Sequence, residues 1–167
     1  MPEPSRLIIG LIGVERSGKD LVADYLVRDH GFYKYSMADP IKDIAQIMFG
    51  WSRSQLYGPD KDNIDPITGI KPRDFFIWFG TQIAQYDIYS IFKDCKIPSR
   101  TIWTQHMTRV IKDQKHGNII IPDIRFKHEA DALLAAGGQL ICLRRPSKET
   151  TEQDDDKLFI KRLNQWQ

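Results

Sequence analysis

The chain has 167 residues, of which 41% are hydrophobic and 28% are charged, a composition typical of a globular domain with its own apolar core. A net charge of +2 argues against the strongly basic surface of a general nucleic-acid binder, so bound anions must be held by locally placed Arg and Lys side chains. Two distant cysteines do not form a disulfide framework, and the longest apolar run is too short to span a bilayer. We therefore expect a single domain over residues 1–167 that works in the cytoplasm and has no membrane or nucleic-acid partner.

Apolar strands and amphipathic helices alternate along the chain. An apolar run predicts a buried strand over residues 7–12, and helical spacing of apolar residues follows from Lys19 to a glycine at position 31. The same patterns predict strands at 33–36, 118–121 and 139–143, and helices that begin at 39, 72, 102 and 127. Alternating strands and helices predict an α/β fold with a parallel sheet covered on both faces.

Residues 51–71 interrupt this alternation. The segment contains Gly58-Pro59, Asp65-Pro66 and Thr68-Gly69, pairs that favour turns. Long ordered loops in compact domains often act as lids or binding loops. We expect a turn-rich insertion here.

The residues between the first strand and the first helix read GVERSGKD, which fits the phosphate-loop pattern G-x-x-x-x-G-K. Backbone amides of such a loop point at bound phosphate, and Lys19 is placed to reach the β- and γ-phosphates of ATP. Asp20 stands where a hydroxyl usually binds Mg²⁺, and its carboxylate is also a hard oxygen ligand. The alternative is a glycine turn with an incidental lysine. The predicted ATP-phosphate ligands from this loop are Gly13, Val14, Glu15, Arg16, Ser17, Gly18, Lys19 and Asp20.

Three charged positions follow later strands. Asp123 comes directly after an apolar strand, where a carboxylate is placed to hold Mg²⁺, directly or through water, or to orient an acceptor oxygen. Arg125 is spaced to bind a phosphate bidentately, unless the segment is an ordinary surface turn with an ion pair. Arg144 and Arg145 leave the last strand. We expect Arg144 to contact ATP phosphates and Arg145 to act in the transition state, although two exposed arginines would also explain the pattern.

A second cluster of candidates surrounds the turn-rich segment. Lys71 and Arg73 open a helix and are candidate ligands of a second phosphate, or else a solvated first turn. Trp78 is a candidate for stacking on a base, although a Trp among phenylalanines more often packs in a core. Asp39 and Lys42 border another helix, where Asp39 is typical of an N-cap. The candidate acceptor ligands are Asp39, Lys42, Lys71, Arg73, Trp78 and Arg125, and the candidate catalytic residues are Lys19, Asp123, Arg125 and Arg145.

These segments together resemble the deoxynucleoside monophosphate kinase family of bacteriophages and some bacteria, a branch of the P-loop nucleoside monophosphate kinases. The resemblance is carried by GVERSGKDLVAD from residue 13, YSMADPIKDI from 35, KPRDFFIWFGT from 71, IIPDIRFKHE from 120 and GGQLICLRRP from 137. It implies a P-loop NTPase-like three-layer sandwich that transfers a phosphoryl group from ATP to a deoxynucleoside monophosphate with Mg²⁺. It further implies acceptor binding by the Arg73 helix, by Asp123 and by Arg125. From its turn residues, the segment 51–71 is in addition expected to act as an acceptor-side loop or lid.

Two alternatives remain open at this point. A P-loop kinase for another small acceptor, such as dephospho-coenzyme A, would share the ATP site. A nucleotide-binding module without turnover would share it too. The sequence leaves open which bases are accepted, whether the protein is a monomer or a homodimer, and whether it works in the host cytoplasm of a phage.

Overall fold

The computed structural model describes residues 6–14, 17–113 and 117–144. These residues belong to two compact units. The first unit takes its described residues from Met1–Met37 and Thr104–Gln167, and the second is Ala38–Trp103. None of the helices within the described ranges is long and apolar enough to cross a membrane.

The first unit contains a four-stranded sheet made of β1 (Ile8–Ile12), β2 (Tyr33–Lys34), β3 (Ile119–Ile121) and β4 (Gln139–Cys142). The strand order is β2-β3-β1-β4, and each neighbouring pair is parallel. Strand β2 is shorter than the predicted 33–36. The predicted α/β class with a central parallel sheet is confirmed.

Helices cover both faces of this sheet. The relevant helices are α1 (Lys19–His30) and α7 (Lys127–Ala135), which follow β1 and β3 in the chain. Leu11 of β1 packs in a buried cluster with Ala23 of α1, whereas a Cβ added to the neighbouring Gly10 would collide with Leu133 of α7. Adjacent strand residues point to opposite faces, so α1 and α7 lie on opposite sides of β1. All three residues of β3 are fully buried, as expected for a central parallel strand.

The second unit is helical. Its elements are α2 (Asp39–Phe49), α3 (Arg53–Tyr57), a 3₁₀ turn (Pro59–Asp62), α4 (Pro72–Ile77), a π-helical segment (Trp78–Asp87) and α5 (Ile88–Ile91). Helix α6 (Ile102–Asp113) leads from this unit back to the first. The aromatic core of the unit contains Ala45, Trp51, Leu56 and Phe75, with Phe49, Ile70, Phe76 and Phe79 packed against them.

Much of the predicted turn-rich segment is regular structure. Ser52 caps α3 by accepting a hydrogen bond from the Gln55 amide, and the Gln55 side chain accepts one from the Ser52 amide. Asp65 closes a tight turn because its carboxylate accepts the amide and the hydroxyl of Thr68 at 2.8 and 2.7 Å. The insertion expected from the turn residues thus contains a capped five-residue helix. Its role as a lid stays a prediction.

The helix predicted from residue 72 contains a π-helical segment. It continues without a break through the ten-residue π-helical segment to Ile91. Within that segment, the carbonyl of Gly80 accepts side-chain hydrogen bonds from Gln85 at 3.2 Å and from Trp103 at 2.8 Å. A Cβ at Gly80 would lie 2.6 Å from Cδ1 of Ile41, so glycine allows α2 to pack closely against this helix.

Candidate functional site

The phosphate loop leaves β1 at Gly13 and enters α1 at Lys19. A Cβ at Gly13 would lie 2.5 Å from the carbonyl oxygen of Leu143 and 2.8 Å from Oγ of Ser17, so only glycine fits between the loop and the chain that follows β4. Gly18 occupies the N-cap of α1 with φ of 96°, a left-handed value that favours glycine. The backbone geometry thus explains why glycine occupies both of these motif positions.

Lys19 is folded back over the loop. Its Nζ donates hydrogen bonds to the carbonyl oxygens of Gly13 at 3.0 Å and Val14 at 2.6 Å, and to Oγ of Ser17 at 3.3 Å. The ammonium group is therefore surrounded by loop atoms at the start of a twelve-residue helix, whose first amides favour an anion. Glu15 and Arg16, which were also predicted to bind phosphate, lie outside the described residues.

Asp20 is directed toward solvent. Its side chain is 88% exposed, and Oδ1 lies 3.8 Å from Nζ of Lys34, which also pairs with Asp24 at 2.8 Å. Exposure leaves the Asp20 carboxylate accessible to a hydrated cation. Its proposed Mg²⁺ role stays a prediction.

Asp123 lies just beyond the carboxyl end of β3 and binds the chain that follows β2. Oδ2 accepts a hydrogen bond from Oγ of Ser36 at 2.6 Å, and the Met37 amide lies 3.1 Å from each carboxylate oxygen. Asp123 therefore ties together the ends of two neighbouring strands at the edge of the sheet where ligands bind in open α/β folds. Sequence analysis found Asp123 but missed Ser36 and Met37, which lie 87 and 86 positions away.

Glu129 is a further charged residue near this edge that sequence analysis did not assign. Its side chain is 7% exposed, and Oε2 accepts the amides of Arg125 at 2.8 Å and Phe126 at 3.1 Å. Burial raises the pKa of Glu129 to about 7, although the two amide hydrogen bonds act in the opposite direction. A Glu in the first turn of a predicted helix is a capping signal, and this signal was available from the sequence.

The predicted arginines have different surroundings. Arg125 is exposed, and its guanidinium donates no hydrogen bond to another described residue. Arg144 is exposed and follows Leu143, whose amide donates to the carbonyl of Ile12 at 2.8 Å. That bond extends the pairing of β1 with β4, so Arg144 leaves the sheet next to the phosphate loop. Arg145 lies outside the described residues.

In the second unit, Arg73 binds the Asp62 carboxylate through Nε and Nη2, with the Nη2 contact at 3.1 Å. This bond lowers the pKa of Asp62. Lys71 occupies the N-cap position of α4. The pair is half exposed, so the role of Arg73 as a phosphate ligand and the alternative of a solvated first turn both stay open.

Two of the structural alternatives considered for the acceptor candidates are wrong. Trp78 does not pack in the core, since 51% of it is exposed. Asp39 does not cap α2, because Ala38 is the N-cap residue and no side-chain cap is formed. The Lys42 ammonium lies 3.9 Å from the Asp39 carboxylate and 4.0 Å from the centre of the Tyr57 ring.

The two groups of candidates fall in different units. The described phosphate-loop residues, Asp123, Arg125 and Arg144 belong to the first unit, whereas the other acceptor candidates belong to the second. Among the described residues, no group of three His, Cys, Asp or Glu side chains is arranged to hold a metal ion. Mg²⁺ in phosphoryl transfer is held largely by phosphate oxygens and water with one or two carboxylates, so the carboxylates of Asp20 and Asp123 are ligands of the right kind for it.

Comparisons with known proteins agree with the motifs. A family model described as deoxynucleotide monophosphate kinase matches residues 7–71. A putative deoxynucleotide monophosphate kinase of Acanthamoeba polyphaga mimivirus is 29% identical over 167 residues, which cover 96% of this chain and 85% of the viral protein.

Phage proteins match over a shorter stretch. The deoxynucleotide monophosphate kinase of Escherichia phage RB69 is 43% identical over 53 residues, covering 32% of this chain and 21% of the phage protein. That of Enterobacteria phage T4 is 44% identical over 43 residues, covering 26% and 18%. The match thus covers about a fifth of each phage protein, whereas the match to the mimivirus protein covers most of that relative. The resemblance inferred from the motifs is confirmed.

Proposed function

We propose that this chain, which is similar to the deoxynucleotide monophosphate kinases of phages and a giant virus, transfers the γ-phosphoryl group of ATP to a deoxynucleoside monophosphate. The observation that carries this proposal is the phosphate loop. Its two glycines are required by the backbone, and its lysine ammonium lies among the loop atoms at a helix N-terminus. Such a loop binds the phosphates of a nucleotide, and the similarity to kinases supports phosphoryl transfer as the reaction.

On the donor side, the loop amides and Lys19 bind the ATP phosphates. Lys19 exchanges its hydrogen bonds to the Gly13 and Val14 carbonyls for phosphate oxygens. Bound Mg²⁺ supplies charge neutralisation at the phosphates, and Asp20 and Asp123 would hold it, directly or through water. Arg144 adds positive charge next to the loop.

On the acceptor side, Arg125 binds the phosphate of the monophosphate. An acceptor phosphate oxygen forms a bond to the γ-phosphorus while the bond from that phosphorus to the β,γ-bridging oxygen breaks, and ADP leaves with the bonding electron pair. The acceptor oxygen is already anionic at neutral pH, so the reaction needs no strong general base. Catalysis consists of in-line positioning and charge stabilisation by Lys19 and the arginines.

The test is direct. The pure protein is incubated with ATP, Mg²⁺ and each of the four deoxynucleoside monophosphates, and formation of ADP and the diphosphate is followed. We expect turnover on at least one acceptor, loss of turnover in Lys19→Ala, and normal turnover in Lys112→Ala, which changes an exposed lysine of α6. ATP binding without turnover on any deoxynucleotide would contradict the proposal. Turnover on dephospho-coenzyme A alone would replace it with the first alternative.

A further inference from the structure

We propose that Glu129 is a positioning residue that fixes the backbone of Arg125 and so directs its guanidinium toward the phosphate of the acceptor. The inference rests on the proposed function, in which Arg125 binds that phosphate. It adds a residue that touches neither substrate and acts through its hydrogen bonds to the chain.

The loop between β3 and α7 is anchored residue by residue. Asp123 is bound to Ser36 and Met37, and the next residue, Ile124, is 3% exposed and packs in the core. Arg125 follows and is exposed. Its side chain therefore projects from a loop whose two preceding residues are held.

Glu129, in the first turn of α7, holds the backbone on both sides of the Arg125 Cα atom. One carboxylate oxygen accepts the amide of Arg125 at 2.8 Å and the amide of Phe126 at 3.1 Å. These two amides belong to the peptide groups on either side of the Arg125 Cα atom. Because both peptide groups are held by the same oxygen, the direction of the Arg125 Cα–Cβ bond is restricted.

The burial of Glu129 supports its role in holding the backbone of Arg125. A carboxylate that is 93% shielded from water carries a desolvation cost unless its hydrogen bonds compensate for it. Here those bonds satisfy two amides that precede the first turn of α7, which otherwise lack helical partners. A small displacement of the Arg125 guanidinium weakens binding of the acceptor without altering the phosphate loop.

The experiment uses three variants of Glu129 in the full chain. Glu129→Gln keeps an oxygen that accepts both amides, Glu129→Met fills a similar volume without an acceptor, and Glu129→Asp shortens the side chain by one methylene. Asp131→Asn, which alters an exposed carboxylate of the same helix, is the matched control. Amide hydrogen exchange is measured at residues 125 and 126, and KM and kcat are measured for the deoxynucleotide and for ATP.

We expect Glu129→Met to speed exchange at both amides and to raise KM for the deoxynucleotide roughly tenfold, a change of about 1.4 kcal/mol. KM for ATP should change by less than twofold, and Glu129→Gln should restore the deoxynucleotide KM. In a double-mutant cycle with Arg125→Ala, removing Glu129 should add no further loss, because its effect passes through Arg125. If Glu129→Met does not fold, Glu129→Asp is compared with Glu129→Gln by the same readouts.

Three results would overturn the inference. These are faster amide exchange with an unchanged deoxynucleotide KM, an equal rise in both KM values, and additive losses in the double-mutant cycle. Failure of the proposed function looks different, since the unmodified protein would then show no turnover on any deoxynucleotide although amides 125 and 126 remain protected.

Discussion

The buried carboxyl group of Glu129 predicts how the stability of the protein depends on pH. The perturbation is a rise from pH 5 to pH 8, applied to the unmodified chain and to Glu129→Gln. Burial raises the pKa of this group from its ordinary 4.5 to about 7, opposed by the amides of Arg125 and Phe126 and by the charge of Arg125, and assisted by the charge of Asp123. Glutamine has the same shape and accepts the same amides but does not titrate.

The direction in which stability changes with pH follows from proton binding to Glu129. Between about pH 4.5 and 7 the folded state holds a proton on Glu129 that the unfolded state has lost, so the free energy of unfolding falls as the pH rises. A pKa difference of about 2.5 pH units corresponds to about 3 kcal/mol in total, and most of this falls between pH 5 and pH 8. The stabilisation is complete below pH 4.5 and is lost above pH 7.

The assay is urea unfolding at several pH values for both proteins. Histidines titrate in the same range but are present in both, so the difference between the two unfolding free energies isolates Glu129. We expect that difference to change by about 2–3 kcal/mol in favour of Glu129→Gln from pH 5 to pH 8. Parallel curves, with a difference that changes by less than about 0.5 kcal/mol, would refute the assignment of a raised pKa.

Three further predictions concern the first unit. Gly13→Ala should weaken ATP binding by at least roughly tenfold in a fluorescence titration, since its Cβ would collide with the loop, and unchanged affinity would contradict the geometry. Leu133→Ala should lower the free energy of unfolding by about 3 kcal/mol because the side chain is fully buried, whereas its half-exposed neighbour Leu134→Ala should cost less than about 1 kcal/mol. Equal losses would mean that α7 does not pack as described. Ser36→Ala should cost about 1–2 kcal/mol by removing a donor to Asp123, and a neutral result in urea unfolding would show that this hydrogen bond is dispensable.

The parts of the molecule that sequence analysis predicted are those with local signals. The phosphate loop is defined by a strand, two glycines and a helix within a short stretch, and the parallel sheet follows from apolar runs separated by amphipathic helices. These patterns depend on neighbours in the chain, so no knowledge of tertiary contacts was needed to find Lys19 or Asp123.

Other features could not be predicted from local patterns in the sequence, because they depend on contacts between distant residues. Trp78 was expected more often in the core, and its ring centroid does lie 6.1 Å from that of Phe75 and 6.5 Å from that of Phe79, but 51% of the residue is exposed. The hydrogen bonds of Asp123 join residues 86 and 87 positions apart, and no spacing rule gives them.

The hydrogen bonds of Asp123 bear on whether it would hold Mg²⁺ directly or through water, a role that stays a prediction. Both of its oxygens accept hydrogen bonds, from Oγ of Ser36 and from the Met37 amide. A metal ion bound directly would share lone pairs with these donors and weaken the connection between the ends of β2 and β3. A metal-bound water donates a hydrogen bond instead, and a carboxylate with about four acceptor positions accommodates it beside the existing donors. If Asp123 takes part in holding Mg²⁺, its existing hydrogen bonds to Ser36 and Met37 therefore favour contact through water.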